Sequence, residues 1–185
     1  RSLTPEQRAE RTKAPCWRIE VPHETLSFTD GLQGALSMDL ASEWGDFILR
    51  RADGVAAYQL AVVADDGEEG VTEVVRGRDL LTSTPVQLWL YGLLGLEPPG
   101  FYHVPMLLAP DGRRLSKRDR DLDLGQLRQR WSPEMLVGFL AWKCGLRDRW
   151  EPASPEELIP EFSWDRVRRT DIVLPAEDLS RLEGG

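Results

Sequence analysis

The chain has 185 residues, of which 41% are hydrophobic, and its formal net charge is −8. This length and composition predict a globular protein with its own hydrophobic core. A membrane span needs about 20 consecutive apolar residues, and no apolar run in the sequence is nearly that long, so no membrane partner is expected. The net negative charge argues against a protein that binds nucleic acid non-specifically, because such a protein would be basic overall. The two cysteines and two histidines lack ligand spacing, so we expect neither a disulfide framework nor a metal site in this chain, and a reduced, cytoplasmic setting.

The first third of the sequence predicts a small antiparallel sheet. Apolar and charged residues alternate at its start, and the pattern predicts strands over residues 16–21, 25–30, 35–40 and 47–51. Asp-Gly pairs at 30–31 and 53–54 suit turns between strands, since glycine readily adopts positive φ.

The middle of the sequence alternates between helix and strand patterns. Residues 55–66 predict a helix with Tyr58 in its interior. The β-branched run 71–75 predicts a buried strand that Arg76 directly follows. Since ligands of α/β sheets bind outside the carboxyl ends of the strands, Arg76 is suited to bind a carboxylate. The alternatives are an ion pair of Arg76 with Asp79 or Glu73, and a core role for Tyr58.

A second helix and strand follow. Thr84-Pro85-Val86-Gln87 predicts a helix start with a capping box, and the helix should end before Gly95. Residues 101–108 predict the next strand, and this order is typical of a parallel α/β sheet. Beyond residue 120, helix starts are predicted at Ser132, Ser154 and Ser163.

A basic loop follows the strand of residues 101–108. Asp111-Gly112 predicts a tight turn, and residues 111–120 contain five Lys or Arg and two Asp, a local excess of positive charge in an acidic chain. Such a loop attracts an anionic ligand, and the Lys117 ammonium could contact a polyphosphate. The alternative is a solvated basic turn.

The order of these residues resembles a known family. Tyr58, Asp65-Asp66, Arg76-Gly77, His103-Val104-Pro105 and Leu115-Ser116-Lys117 follow one another as in the second half of the catalytic domain of class I aminoacyl-tRNA synthetases of the glutamate group. Arg114-Leu115-Ser116-Lys117-Arg118 then corresponds to the KMSKS loop, with Arg114 in the place of its usual first lysine.

The resemblance implies roles for individual residues. Tyr58 and Arg76 would hold the substrate glutamate, with Arg76 binding its side-chain carboxylate. Lys117 would stabilise the triphosphate of ATP during adenylate formation, and Ser116 would shape the loop or donate a hydrogen bond. Arg114, Leu115 and Arg118 would complete the ATP-binding loop, and His103 would belong to the wall of the active site.

The family's HIGH motif is not found in this sequence. Neither Pro22-His23-Glu24-Thr25 nor Tyr102-His103-Val104-Pro105 matches it, and the chain begins at Arg1 rather than at methionine. We therefore expect this chain to be the C-terminal part of the catalytic core of a longer polypeptide. The resemblance implies ATP and Mg²⁺ as cofactors, and Zn²⁺ would belong to the N-terminal part that is not seen here.

The expected fold class is α/β. It would be the second half of a class I synthetase Rossmann-like domain with a parallel sheet, preceded by a small antiparallel insert and followed by C-terminal helices. Residues 1–46 would end an inserted acceptor-binding subdomain, residues 47–120 would carry the catalytic domain and its loop, and residues 121–185 would form the helical region. A monomer is expected.

Three hypotheses for the function follow: two of them are branches of the family, and the third is a protein of another functional class. Residues 119–185 are too few for the anticodon-binding region of full glutamyl-tRNA synthetases, and residues 73–84 look more like a shorter branch. That branch, as the resemblance implies, activates L-glutamate with ATP without needing tRNA and transfers it to the queuosine base of tRNA(Asp). The alternatives are a core fragment of a glutamyl-tRNA synthetase, which charges the tRNA 3′ end, and a non-catalytic tRNA-binding module.

Overall fold

The computed structural model describes Thr4, Glu6, Glu10 and residues 14–115 and 124–183. These residues form two compact units that interleave along the sequence. The first unit takes in residues 1–30, 35–74 and 82–101, and the second takes in residues 31–34, 75–81 and 102–185.

Four short strands and a helical turn begin the described chain. They are β1 (Trp17–Ile19), β2 (Thr25–Asp30), β3 (Gly34–Asp39), α1 (Leu40–Glu43) and β4 (Phe47–Arg50). Strand β1 pairs antiparallel with β4, and β2 pairs with β3. The four predicted strands are therefore confirmed within two residues at each end, because period-two alternation is easily recognised when one face of a strand is buried. The single sheet predicted for them is wrong, since they form two separate two-stranded sheets.

The next helix differs from its prediction at both ends. Helix α2 (Tyr58–Glu69) begins three residues later than expected and continues through Gly67. Gly67 lies in the helix where a Cβ would come within 2.6 Å of the Leu96 side chain, so the glycine permits a close contact and does not end the helix. Gly70 ends it instead, with φ at 69°. Tyr58 is thus the first residue of the helix, and its predicted interior position is wrong.

The strand that carries Arg76 is also shifted. Strand β5 is Glu73–Gly77, so Arg76 lies within the strand and not after it. A 3₁₀ helix, Arg78–Ser83, leads directly into α3 (Thr84–Leu94). The predicted capping box is therefore wrong, because the preceding helical turn leaves no open helix start at Thr84 to be capped. The predicted helix end is confirmed by Gly95, with φ at 67°.

Helices α2 and α3 pack together in the first unit. Their buried contacts are hydrophobic, and this cluster is centred on Val63, Leu90, Tyr91 and Phe101. Removal of this apolar surface from water is the main force that holds the two helices in place.

The predicted strand 101–108 is divided in two. Strand β6 (Gly100–Val104) pairs with β5, and β7 (Leu107–Leu108) follows after Pro105, which has no N–H to donate to a strand ladder. Strand β7 pairs in parallel with β8 (Ile172–Val173). The α/β class is confirmed, but β8 was not predicted, because two residues are too few for a strand pattern.

The second unit is completed by helices. They are α4 (Leu124–Leu127), α5 (Pro133–Cys144), α6 (Pro155–Leu158) and α7 (Ala176–Glu183), with 3₁₀ turns at Ile159–Glu161 and Trp164–Arg166. The predicted helix starts are confirmed at Ser132, which accepts a hydrogen bond from the Met135 N–H, and at Ser154, which forms a capping box with Glu157. Ser163 caps only a single 3₁₀ turn.

A separate hydrophobic core lies in this unit. It is centred on Leu127, Phe139, Ile172, Leu174 and Leu182. Beside it, the Lys143 ammonium forms a buried ion pair with the Asp178 carboxylate, so each charge neutralises the other where water is excluded. Within the described part of the chain, every helix is too short or too polar to cross a membrane.

Candidate active site

Arg76 is oriented by two hydrogen bonds within the second unit. Its Nε donates to Nε2 of His103 at 2.9 Å, and its Nη2 lies 3.4 Å from the carbonyl oxygen of Leu80. These two hydrogen bonds fix the orientation of the guanidinium. A half-buried arginine held in this way is suited to bind an anion, because low local polarity strengthens the attraction between opposite charges.

His103 is the fixed partner in this arrangement. It lies in β6 with 0% of its surface exposed. Because Nε2 accepts the hydrogen bond from Arg76, the neutral ring carries its proton on Nδ1. The backbone carbonyl of His103 in turn accepts a hydrogen bond from the Gln33 side chain at 2.7 Å. His103 is thus both a buried histidine and a direct neighbour of the candidate carboxylate-binding residue.

Tyr58 belongs to the first unit. It is 53% exposed, so the core aromatic role considered for it does not apply. The side chain of the adjacent Gln59 makes two hydrogen bonds. Its Nε2 donates to the Ser83 hydroxyl at 3.2 Å, and its Oε1 accepts from the Gln87 amide at 2.7 Å. Ser83 and Gln87 are almost fully buried. This polar chain fixes the first turn of α2 and so fixes the position of the Tyr58 backbone.

The basic loop begins with a tight turn and several local contacts. Gly112 has φ at 81°, which confirms the predicted Asp-Gly turn, and the Ala109 N–H donates to the Arg113 carbonyl at 2.9 Å. Arg113 itself contacts Asp111. Arg114 forms a backbone bridge with Leu108, and its Nη1 lies 2.6 Å from Oδ2 of Asp79. Leu115 packs against the core of the second unit.

The remaining residues of the predicted ATP loop, Ser116, Lys117 and Arg118, lie outside the described residues. Their roles stay predictions from the sequence.

The described residues offer no metal centre. Among residues 14–115 and 124–183 no three His, Cys, Asp or Glu side chains are grouped as metal ligands, so the donor set of this part does not fit a zinc ion. Both cysteines are free. Burial raises the pKa of the Cys144 thiol, against an opposing effect of Arg168, so the thiol is protonated at neutral pH and a poor nucleophile.

Several residues around the site were missed in the sequence. Asp79 was considered only as a partner of Arg76, yet it pairs with Arg114. Gln33 and Gln59 gave no signal, because an isolated polar residue shows no periodicity and its partner is distant in sequence. Gln87 was considered only as part of a capping box, yet its amide donates to Gln59.

The comparisons identify the class of protein. The family model for class I tRNA synthetases (E and Q), catalytic domain, matches residues 1–170. The chain therefore belongs to the family of class I tRNA synthetase catalytic domains of the E and Q group.

Particular relatives narrow this class. The chain is 48% identical over its whole length to the glutamyl-Q tRNA(Asp) synthetase of Symbiobacterium thermophilum, and 43% identical to that of Nitratidesulfovibrio vulgaris. It spans 58% of the length of each. Among solved structures it is similar to a glutamate tRNA ligase of Elizabethkingia meningosepticum, with a TM-score of 0.77 and 27% identity, over 98% of this chain and 41% of the ligase.

Proposed function

We propose that the complete protein activates L-glutamate with ATP and transfers the glutamate to the queuosine base of tRNA(Asp). Its support is the name shared by the relatives at 48% and 43% identity, together with the family match. The single structural observation that carries the proposal is Arg76 of β5, a half-buried arginine whose guanidinium is held in a fixed orientation by hydrogen bonds to His103 and Leu80.

Arg76 is proposed to bind the side-chain carboxylate of glutamate. A guanidinium recognises a carboxylate through paired N–H donors in a fixed plane, which favours glutamate over glutamine because the amide lacks the negative charge. His103 acts through Arg76 by fixing the plane of its guanidinium. Tyr58, exposed at the start of α2, is proposed as a second glutamate contact on the family resemblance.

The basic loop of residues 114–118 is proposed to act on ATP in the formation of glutamyl adenylate. In adenylate formation a carboxylate oxygen of glutamate bonds to the α-phosphorus of ATP, and pyrophosphate leaves. Lys117 is proposed to stabilise the negative charge that develops on the leaving phosphates, with Ser116 as a hydrogen-bond donor and Arg114, Leu115 and Arg118 completing the loop. A nucleophilic group of the queuosine base then takes the glutamyl group, and AMP is released.

Mg²⁺ is expected to accompany ATP, since it neutralises phosphate charge during phosphoryl chemistry. No described residue is assigned to it.

Transfer of labelled glutamate tests the proposal against its alternatives. The complete gene product should label tRNA(Asp) that contains queuosine, including a form that lacks the 3′-terminal adenosine, because the acceptor is the base. It should not label tRNA(Asp) without queuosine. Labelling of tRNA(Glu) that requires its terminal adenosine would instead identify a glutamyl-tRNA synthetase, and the matched solved structure is named a glutamate tRNA ligase. Binding of tRNA without any labelling would support the non-catalytic module.

A further inference from the structure

Asp79 lies next to both parts of the candidate site that belong to the second unit. It is the second residue of the 3₁₀ helix that follows β5, three positions beyond Arg76. Its Oδ1 would lie 2.7 Å from a Cβ built at Gly77, and the Met106 sulfur would lie equally close. The Asp79 carboxylate and the Met106 side chain therefore pack directly against the backbone of Gly77.

The second oxygen of the same carboxylate reaches the basic loop. Asp79 Oδ2 is 2.6 Å from Nη1 of Arg114, the first residue of the KMSKS-type sequence. One carboxylate thus packs on the end of the arginine strand and also binds the start of the loop. The two ends of this connection are 35 residues apart in sequence, so local structure alone does not bring them together.

The loop start has two further attachments. Arg114 bridges to Leu108 through the backbone, and the Leu115 side chain packs on the core of the second unit. The Asp79–Arg114 ion pair is the attachment that leads to the Arg76 strand. Lys117 is three residues beyond Arg114 in the chain.

We propose that Asp79 is a positioning residue that connects the glutamate-binding strand to the ATP loop through Arg114. This inference rests on the proposed function. In this arrangement the Arg114 guanidinium serves to hold the loop start, and Lys117 is the cation that acts on the phosphates. The effect is one of position and not of stability, because the two side chains are 29% and 65% exposed and ion pairs at such sites contribute little to folding.

The test is Asp79→Asn in the complete gene product, assayed by glutamate-dependent ATP–pyrophosphate exchange. The amide keeps the shape of the carboxylate but loses its charge. We expect kcat to fall about two- to fivefold, because an ion pair this exposed holds the loop start with only a small free energy, while KM for glutamate changes less than kcat. Arg114→Gln should give a similar loss. The double variant should be no slower than either single variant, because both remove the same interaction.

Glu151→Gln is the matched control. Glu151 forms an exposed ion pair with Arg149 at 2.7 Å in the same unit, so its variant also removes one negative charge from an arginine partner. Its exchange rate should equal that of the wild type. Asp79→Glu, which keeps the charge, should recover part of the loss.

Unchanged kcat in Asp79→Asn, or losses that multiply in the double variant, would overturn the positioning role. If Asp79→Asn does not fold, the same decision follows from Arg114→Gln alone: an unchanged rate rejects the connection. A wild-type protein without glutamate-dependent exchange would instead refute the proposed function on which the inference rests.

Discussion

Arg76→Ala is expected to lower kcat/KM for glutamate by roughly 100- to 1,000-fold, with KM for ATP nearly unchanged. The variant removes the proposed charge partner of the substrate carboxylate, and loss of one member of a buried charge pair costs about 2–5 kcal/mol. Steady-state exchange kinetics, with each substrate varied in turn, measure both effects. The loss should be selective because the residues proposed to bind ATP, 114–118, lie in another segment of the chain.

Arg76→Lys provides the control for charge. The ammonium keeps the positive charge but cannot reproduce the paired donors, and the contact from Nε to His103 is lost. Its kcat/KM for glutamate should lie between those of the wild type and Arg76→Ala. Equal losses for glutamate and ATP in Arg76→Ala would show a general disturbance of the fold and would remove Arg76 from the glutamate site.

Lys117→Ala is expected to slow adenylate formation by roughly 100- to 1,000-fold, with KM for glutamate within about threefold. A positioned donor that acts where charge develops in the transition state is worth this much in kcat. Because its contribution is made in the transition state, substrate binding should change little. Single-turnover formation of glutamyl adenylate measures the chemical step directly.

Lys117→Arg, which retains the charge, should keep more of the rate than Lys117→Ala. An intact rate in Lys117→Ala would show that the KMSKS assignment of residues 114–118 is wrong, even if the protein proves to activate glutamate.

The sequence predicted the regular elements better than the contacts of the site. Strands β2 and β3, the end of α3 at Gly95 and the start of α5 at Ser132 follow from alternation, a helix-ending glycine and a capping serine, which act within a few residues. Helix α2 was misplaced because Gly67 has the features of a helix end but lies inside the helix against Leu96.

The contacts of Arg76 could not be predicted in the same way. Its partner His103 is 27 positions away, and the pairing depends on β5 and β6 lying side by side. The resemblance to a family found Arg76, Tyr58 and the loop, and the comparisons confirm that family. It did not find Asp79, whose proposed role depends on an ion pair with Arg114, 35 residues away in sequence. The roles of Ser116, Lys117 and Arg118 stay predictions, as does the division at residues 46 and 120.

Glutamate-dependent ATP–pyrophosphate exchange by the complete gene product, with and without tRNA, tests the central claim most directly. The account predicts exchange in the absence of tRNA, because the resembled branch activates glutamate alone whereas the resembled glutamyl-tRNA synthetases need tRNA for this step. Exchange that appears only when tRNA is added would contradict transfer to queuosine and favour a glutamyl-tRNA synthetase. Absence of exchange under both conditions would contradict glutamate activation itself.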